Sequence, residues 1–468
     1  MIDLDHIHSI LNKLLDDGAS FAQLKFYNIL SERNINWQSG RSAKIRSRPY
    51  ENWTLSTVNR GIWSVQSVHS FSEIERHSHK AIEMTNQLSK STHFKKSQRE
   101  VMISKPIRQV VLQEAEDFQV PSLEEVLLQM ELMQKLFDEP ITFNYYDSMI
   151  QYYYWDSEHT RGGSQYLNMN LNLHQASKDG EVPDFHCDYH HTATPQKPFE
   201  FKDLQWQRDT KRLARTTKDP AFRGPTPEDM CWILSARAFA KLILGTLGPT
   251  LCLEKPDPFN EAMNPASLMD TKIAPESLSI SSAPELFSSQ TLLDEEGVPA
   301  RKLLLIDKGI LKNFLLTRFS AHHLSRSLPI HKEKILAGSA RSCSFNHFHH
   351  PSLRYIEVSP GESMEKDFRL SHLFIPDLNV DHISASEDDF VITAQNCLVN
   401  KFGGLHRRHV PRLRFNIDRN SLWQGLLGLG QEQQLIYLPP NSEIKNKEAF
   451  GNFLLPMAKF RGMPCSWS

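Results

Sequence analysis

Three things are scarce in this 468-residue chain: cysteine, an excess of either charge, and long apolar runs. The six cysteines (Cys187, Cys231, Cys252, Cys343, Cys397 and Cys465) are scattered without C-x-x-C spacing. That argues against a disulfide framework and fits reduced thiols. Lys and Arg number 53 against 55 Asp and Glu, for a net charge of −2. No whole-molecule field therefore steers the chain onto nucleic acid, and no nucleic-acid partner is expected. No stretch approaches the roughly 20 uncharged apolar residues of a membrane span, so no membrane partner is expected either. The opening MIDLDHIHSI carries early acids and no basic region ahead of an apolar block. It reads as no secretory signal, and the expected location is cytoplasmic. G-x-S-x-G, P-loop and G-x-G-x-x-G patterns are also missing, and Gly245-Thr246-Leu247-Gly248 lacks the Lys-Ser/Thr of a phosphate loop.

What is present is a chain too long for one ordinary core, 40% apolar, for which two domains are the natural expectation. Leu4, Ile7, Ile10, Leu11, Leu14 and Leu15 keep helical spacing, and Gly18 falls where a left-handed cap would end that helix. Residues 21–70 switch to strand periodicity, with turns expected at Ser39-Gly40 and Asn59-Arg60-Gly61. A capping box at Ser72 and Glu75 predicts a helix whose apolar face is Ile74, Ala81, Met84 and Leu88. A second box at Ser122 and Glu125 predicts a helix closed by Pro140. Long strands follow, with turns expected at Gly162-Gly163 and Lys178-Asp179-Gly180. The basic, proline-containing stretch 196–227, with Lys202, Arg208, Lys211, Arg212, Arg215 and Lys218, reads as a junction and a solvated face. Beyond it CWILSARAFAKLILGTLG predicts a strand leading into a helix. Residues 254–290 read as Pro- and Ser-rich loops, and the chain from 302 onward as mainly strands. The expected class is α+β: a mixed helix and antiparallel-sheet domain over 1–195, a junction over 196–227, and a β-rich, barrel-like domain over 228–468.

Two histidine clusters have enough donors for a metal. On a strand, His186, Asp188 and His190 share one face by their two-residue period and form a workable ligand set; an exposed polar strand is the plainer reading. Cys343, His347 and His349 fall in a loop that reads as a ligand set, a pH-sensitive patch or solvated chain. His322, His323, His406 and His409 read as surface residues or satisfied core partners.

Several segments, in order, resemble the TldD/PmbA family, whose PmbA-like member is also called TldE. They are GASFAQLKFYNILSERNINWQSGRSAKI, the strand pair ending GIWSVQSVHSFS, DEEGVPAR with LLLIDKGILKNFLLTRFSA, IEVSPGE, and DDFVITAQNCLVNKFGG. The sharpest is Asp294-Glu295-Glu296-Gly297-Val298-Pro299-Ala300-Arg301, which looks like the family's D-D-E-G-V-P-T-R. The resemblance implies a proteolytic pair. A TldD-like subunit binds zinc through an H-E-x-x-x-H helix and a later cysteine, and a PmbA-like subunit lacks that motif.

This sequence contains no H-E-x-x-x-H. Aligning Leu247-Gly248 with the family's L-G puts Leu244 at the first histidine, Gly245 at the glutamate and Pro249 at the second histidine. Cys465 is the counterpart considered for the family's cysteine. No cofactor is expected in this chain, and zinc is expected in a TldD-like partner. The resemblance thus implies a non-catalytic subunit of a heterodimeric zinc metallopeptidase that cleaves unstructured peptides, including peptide natural-product precursors. The alternatives are a stand-alone metalloenzyme using a relocated histidine cluster and a homodimeric peptide-binding scaffold.

Overall fold

The computed structural model describes residues 4–38, 41–43, 50–90, 120–137, 140–175, 185–193, 230–253, 265–284, 293–327, 337–341, 349–362, 372–382, 389–401, 406–438, 451–462 and 466–467. The chain is an α+β protein, with two large sheets and one short strand pair among the described residues. The first contains β1 (Phe21–Gln38), β2 (Arg41–Ala43), β3 (Tyr50–Asn59), β4 (Ile62–Val68), β5 (Thr142–Asp156), β6 (Arg161–Gln175) and β7 (Phe185–Ala193). Its order is β4-β3-β1-β5-β6-β7, with β2 paired to β1, and every pairing is antiparallel. Helices α1 (Leu4–Asp16), α2 (Phe71–Lys90) and α3 (Leu123–Gln134) supply its apolar cover.

The two faces of this sheet differ chemically, and the strand period of two is the reason. In β1, Ala22, Leu24 and Phe26 face the α1 and α2 side, and Ile35 and Trp37 face α3. Gln23, Lys25, Tyr27, Asn34 and Asn36 belong to the opposite, polar face, and their paired residues on β5 continue it.

Local signals explain most boundaries. Gly18 has φ +105°, and the Gly18 and Ala19 N–H groups donate to the Leu15 and Leu14 carbonyls, closing α1 as expected. Arg60 and Gly61, both at positive φ, make the tight β3–β4 turn. Ser122 Oγ accepts from the Glu125 N–H at 3.1 Å, and Glu125 Oε2 accepts from the Ser122 N–H at 2.7 Å, so the second capping box is formed.

Other boundaries differ from expectation. Within the stretch of expected strands, residues 21–38 form one long strand, β1, with a register shift between Ile29 and Ser31. Helix α2 starts at Phe71, so Ser72 lies inside it; its inward residues are Ile74, Ser78, Ala81, Ile82 and Thr85, while Met84 and Leu88 are exposed. Helix α3 ends at Gln134, well before Pro140. Gly162 and Gly163 are inside β6, and the turn comes earlier, at 157–160, with His159 at positive φ. Gly163 instead makes room for Tyr153, whose ring would lie 3.0 Å from an added Cβ. Residues 178–180 and the basic stretch 196–227 lie outside the described residues.

The second sheet belongs to the strand-rich carboxyl-terminal half. Its strands are β8 (Cys231–Leu234), β9 (Ile280–Ser282), β10 (Leu303–Asp307), β11 (Ile310–Leu311), β14 (Tyr355–Val358), β15 (His372–Ile375), β16 (Asp377–His382), β17 (Asp389–Lys401), β18 (His406–Asp418), β19 (Leu426–Leu438), β20 (Gly451–Phe460) and β21 (Ser466–Trp467). A separate short pair, β12 (Ala340–Arg341) and β13 (His350–Pro351), lies beside them. The helices here are α4 (Ala236–Thr246), α5 (Gly248–Leu251), α6 (Pro265–Leu268), α7 (Arg318–Ser327) and α8 (Arg419–Gln424). As expected, β8 leads straight into α4; Ser235 caps it, its Oγ accepting from the Ala238 N–H at 3.1 Å. Helix α7 was not anticipated in a stretch read as strands. The largest core lies in this half, with Trp232, Phe239, Trp423, Phe453 and Phe460 buried in it.

Candidate functional site

Helix α4 carries the positions that the family resemblance marks for zinc. One side of it turns toward β16 in steps of four residues, the spacing that stacks side chains on one helix face. Arg237 Nε lies 3.3 Å from Asp377 Oδ2, and Lys241 Nζ lies 2.6 Å from Asp377 Oδ1. Burial alone would raise the Asp377 carboxyl, but Lys241 and Arg237 hold it below its ordinary range. Next along this face is Gly245, where an added Cβ would stand 2.5 Å from Val380 Cβ. Leu244 is buried in the main core, and Pro249 is the second residue of the short helix α5. The positions of interest are therefore filled by an aliphatic side chain, a glycine pressed against β16, and a proline.

A second polar site lies where the two halves meet, over one end of the first sheet's polar face. It is built on the turn Asp294-Glu295-Glu296-Gly297. Asp294 Oδ1 accepts from the Glu296 and Val298 N–H groups at 2.9 and 2.8 Å, and its Oδ2 accepts from the Ala340 N–H at 3.0 Å. Gly297 has φ +69°, and an added Cβ would lie 2.5 Å from the Tyr154 ring, so backbone and space both call for glycine. The turn projects two carboxylates. Glu295 pairs with Lys25 and accepts from the Tyr27 hydroxyl at 3.3 Å. Glu296 Oε2 accepts from the Arg318 N–H at 2.6 Å, and its Oε1 lies 3.6 Å from His349 Nδ1. His349 Nε2 in turn is 3.0 Å from Lys25 Nζ and 3.3 Å from Gln23 Nε2. Facing an ammonium, Nε2 acts as the acceptor, which leaves the ring proton on Nδ1 toward Glu296. Arg318 Nη2 completes the seam by donating to Glu158 Oε1 at 2.7 Å.

Burial and charge set the protonation of this cluster. Burial followed by repulsion from Glu296 pushes Asp294 up to about 7, against the pull of its three backbone donors. Burial would also raise Glu295, but the Lys25 ammonium brings it down to about 2. Burial, then Lys25, holds His349 well below the ordinary histidine range, so the ring is neutral. The arrangement is a desolvated ion pair and a neutral histidine joining the first sheet to the Asp294 turn and the segment leading into β13.

The sequence pattern of the PmbA/TldA metallopeptidase C-terminal domain matches residues 227–466. The chain belongs to the TldD/PmbA family. TldE from Thermococcus kodakarensis is similar in structure, with a TM-score of 0.69 at 16% identity, covering 98% of this chain and 99% of that one. A candidate modulator of DNA gyrase from Bacteroides thetaiotaomicron gives a TM-score of 0.67 at 14% identity over 100% of both chains. Another from Thermotoga maritima gives 0.65 at 12% identity over 99% of each chain. At these identities the likeness is one of fold. No curated protein matches the sequence.

The zinc of TldD-like family members can be tested against α4. A hydrolytic site needs three protein donors and an open coordination position. Leu244, Gly245 and Pro249 offer no side-chain nitrogen, oxygen or sulfur, and the space beyond Gly245 is taken by Val380. These residues do not fit the ion.

The histidine clusters fare differently. The backbone of β7 pairs His186 with His174, Asp188 with Asn172 and His190 with Asn170, which confirms the strand; their side chains lie outside the described residues. Cys343, His347 and Cys465 also lie outside them. His349 is described, and it joins the seam. His409 is buried, and burial lowers it to about 4. Sequence reasoning missed Lys25, Glu295, Glu296 and Arg318 as a unit. The available signal was Gln23, Lys25 and Tyr27 alternating with apolar residues, which put a lysine on a sheet face.

Proposed function

We propose that this chain is the PmbA/TldE-like, non-catalytic subunit of a heterodimeric zinc metallopeptidase acting on unstructured peptides. It shapes the peptide path, and a TldD-like partner carries out hydrolysis. The observation that carries the reading is the joint replacement, on α4, of both zinc-ligand positions and the general-base position by Leu244, Pro249 and Gly245. Losing one donor would weaken a metal site, whereas losing two ligands and the base removes the chemistry. The whole-chain likeness to a protein named TldE supports the same reading. The test is reconstitution: mixed with a TldD-like protein from the same source, the chain should form a stable complex that cleaves an unstructured peptide. Changing the partner's motif glutamate to glutamine should abolish that cleavage. A partner that neither binds the chain nor gains activity from it would refute the proposal.

A further inference from the structure

Helix α3 buries one side and leaves apolar side chains on the other. Val126, Met130 and Met133 pack against the first sheet. On the outward side Leu128 and Leu132 are 53% and 46% exposed, and Leu128 is the most exposed large apolar side chain among the described residues. The two leucines are four residues apart and stack on one helix face. Glu125 lies three residues before Leu128, and Lys135 lies three residues after Leu132, so the same face carries one charge of each sign at its ends. Both charged side chains are exposed. Glu125 gives one carboxylate oxygen, Oε2, to the capping box, and the Lys135 ammonium makes no ion pair among the described residues.

We propose that this face of α3 is a self-association surface, on which α3 of a second copy of the chain packs antiparallel about a two-fold axis. The pattern Glu125–Leu128–Leu132–Lys135 has spacings of three, four and three, which read the same in both directions. The charges at its two ends are opposite. A two-fold contact must be self-complementary, and this pattern is. Turning the helix end for end sets Leu128 against Leu132 of the second copy and Glu125 against Lys135 of the second copy, each contact being made twice. A parallel pairing would oppose like charges instead. The flanking acids fit the same register: Glu131 falls opposite Gln129 of the second copy, and Glu124 opposite Leu136, so no acid meets an acid. Alternating steps of three and four also keep an apolar seam along one line between paired helices. The Glu125–Lys135 stretch is about 15 Å long. A helix pair of that length belongs at the low end of protein interfaces, below about 1,200 Å², so the dimer should dissociate readily, with a Kd on the order of tens of micromolar. The inference concerns a helix of the first sheet and not α4, so it does not rest on the subunit assignment above.

The experiment is sedimentation velocity on the full chain from about 1 to about 200 µM, a range that brackets the expected Kd. A dimer should build up across it. Leu128→Ala together with Leu132→Ala should weaken association more than about tenfold, because each leucine is lost twice. Lys135→Glu sets two acids together at both ends and should weaken it about tenfold. Adding Glu125→Lys to Lys135→Glu restores opposite charges and should bring the dimer back. Mixing the two single-charge variants should give a mixed dimer that neither forms alone. Circular dichroism verifies that each variant is folded, and Lys135→Glu leaves the Ser122–Glu125 capping box intact. A chain still monomeric at about 200 µM, or a dimer indifferent to both Lys135→Glu and the leucine exchanges, overturns the proposal. So does a charge swap that fails to restore association. If the chain stays monomeric alone but the leucine exchanges release a TldD-like partner, the self-association falls and the subunit assignment stands.

Discussion

Replacing Gly245 with alanine should destabilise the fold, the reverse of what helix propensity predicts. In a helix interior the exchange ordinarily gains about 1 kcal/mol, because glycine loses more backbone freedom on folding. Here the new Cβ would stand 2.5 Å from Val380 Cβ, 2.8 Å from Cγ1 and 3.0 Å from Cγ2. Carbon atoms in contact prefer about 3.5–4.0 Å. Val380 cannot swing its Cβ aside, because that atom is fixed to the backbone of β16, which pairs with Ile392. Overpacking costs about 1–3 kcal/mol, and a backbone-anchored obstacle belongs at the upper end. Set against the propensity gain, the net loss is about 2 kcal/mol. Urea denaturation followed by tryptophan fluorescence would measure it, since Trp232 and Trp423 report on the same core. The midpoint should fall with little change in slope. Adding Val380→Ala removes the two γ-carbon contacts but not the Cβ contact, so it should recover only part of the loss. A Gly245→Ala protein as stable as the parent or more so would refute the packing argument. With it would go the inference that β16 bars any larger side chain, glutamate included, from this position.

Three further perturbations probe the buried charges. Lys25→Met strands Glu295 in the seam and should cost about 3–5 kcal/mol near neutral pH. Because Glu295 is held near 2, below its ordinary 4.5, its stabilising effect is present above pH 4.5 and fades as pH falls toward 2; the variant's deficit should therefore shrink in acid, and a deficit independent of pH would contradict the ion-pair reading. His349→Gln addresses the opposite kind of group. The depressed histidine contributes stability that is present above about 6.5 and lost as pH falls below it, so this variant should lose less stability than the parent between pH 7 and 5. Parallel denaturation curves for the two proteins would count against a neutral buried ring. Arg33 donates from Nε to Asp147 Oδ1 at 2.9 Å, and Asp147 is fully buried; Arg33→Met should cost about 3–5 kcal/mol by thermal or chemical denaturation, and a loss under 1 kcal/mol would show that the pair is not needed.

How much of this could be read from the sequence depended on how local the signal was. The Gly18 cap, the Ser122–Glu125 box, the Asn59-Arg60-Gly61 turn and the β8-to-α4 transition are each decided by a few neighbouring residues, and each is present. Gly162-Gly163 misled because paired glycines signal a turn only when nothing else needs the space, and here the Tyr153 ring does. Met84 and Leu88 misled because an apolar side chain near the helical period can still lie just off the buried arc set by Ile74, Ala81 and Ile82. Gly245 could be seen in the sequence, whereas the reason it is tight, Val380, lies more than a hundred residues away. The seam was the least legible feature. Lys25, Glu295 and His349 come from three distant segments, and no sequence period announces which partner a buried charge will meet.

The central claim concerns what this chain does without help. Metal content by elemental analysis, together with hydrolysis of an unstructured peptide by the isolated, folded chain, tests it most directly. Substoichiometric zinc and no cleavage are predicted, with cleavage appearing only on addition of a TldD-like partner. One bound zinc per chain with cleavage by the isolated protein, surviving removal of any trace protease, would contradict the claim.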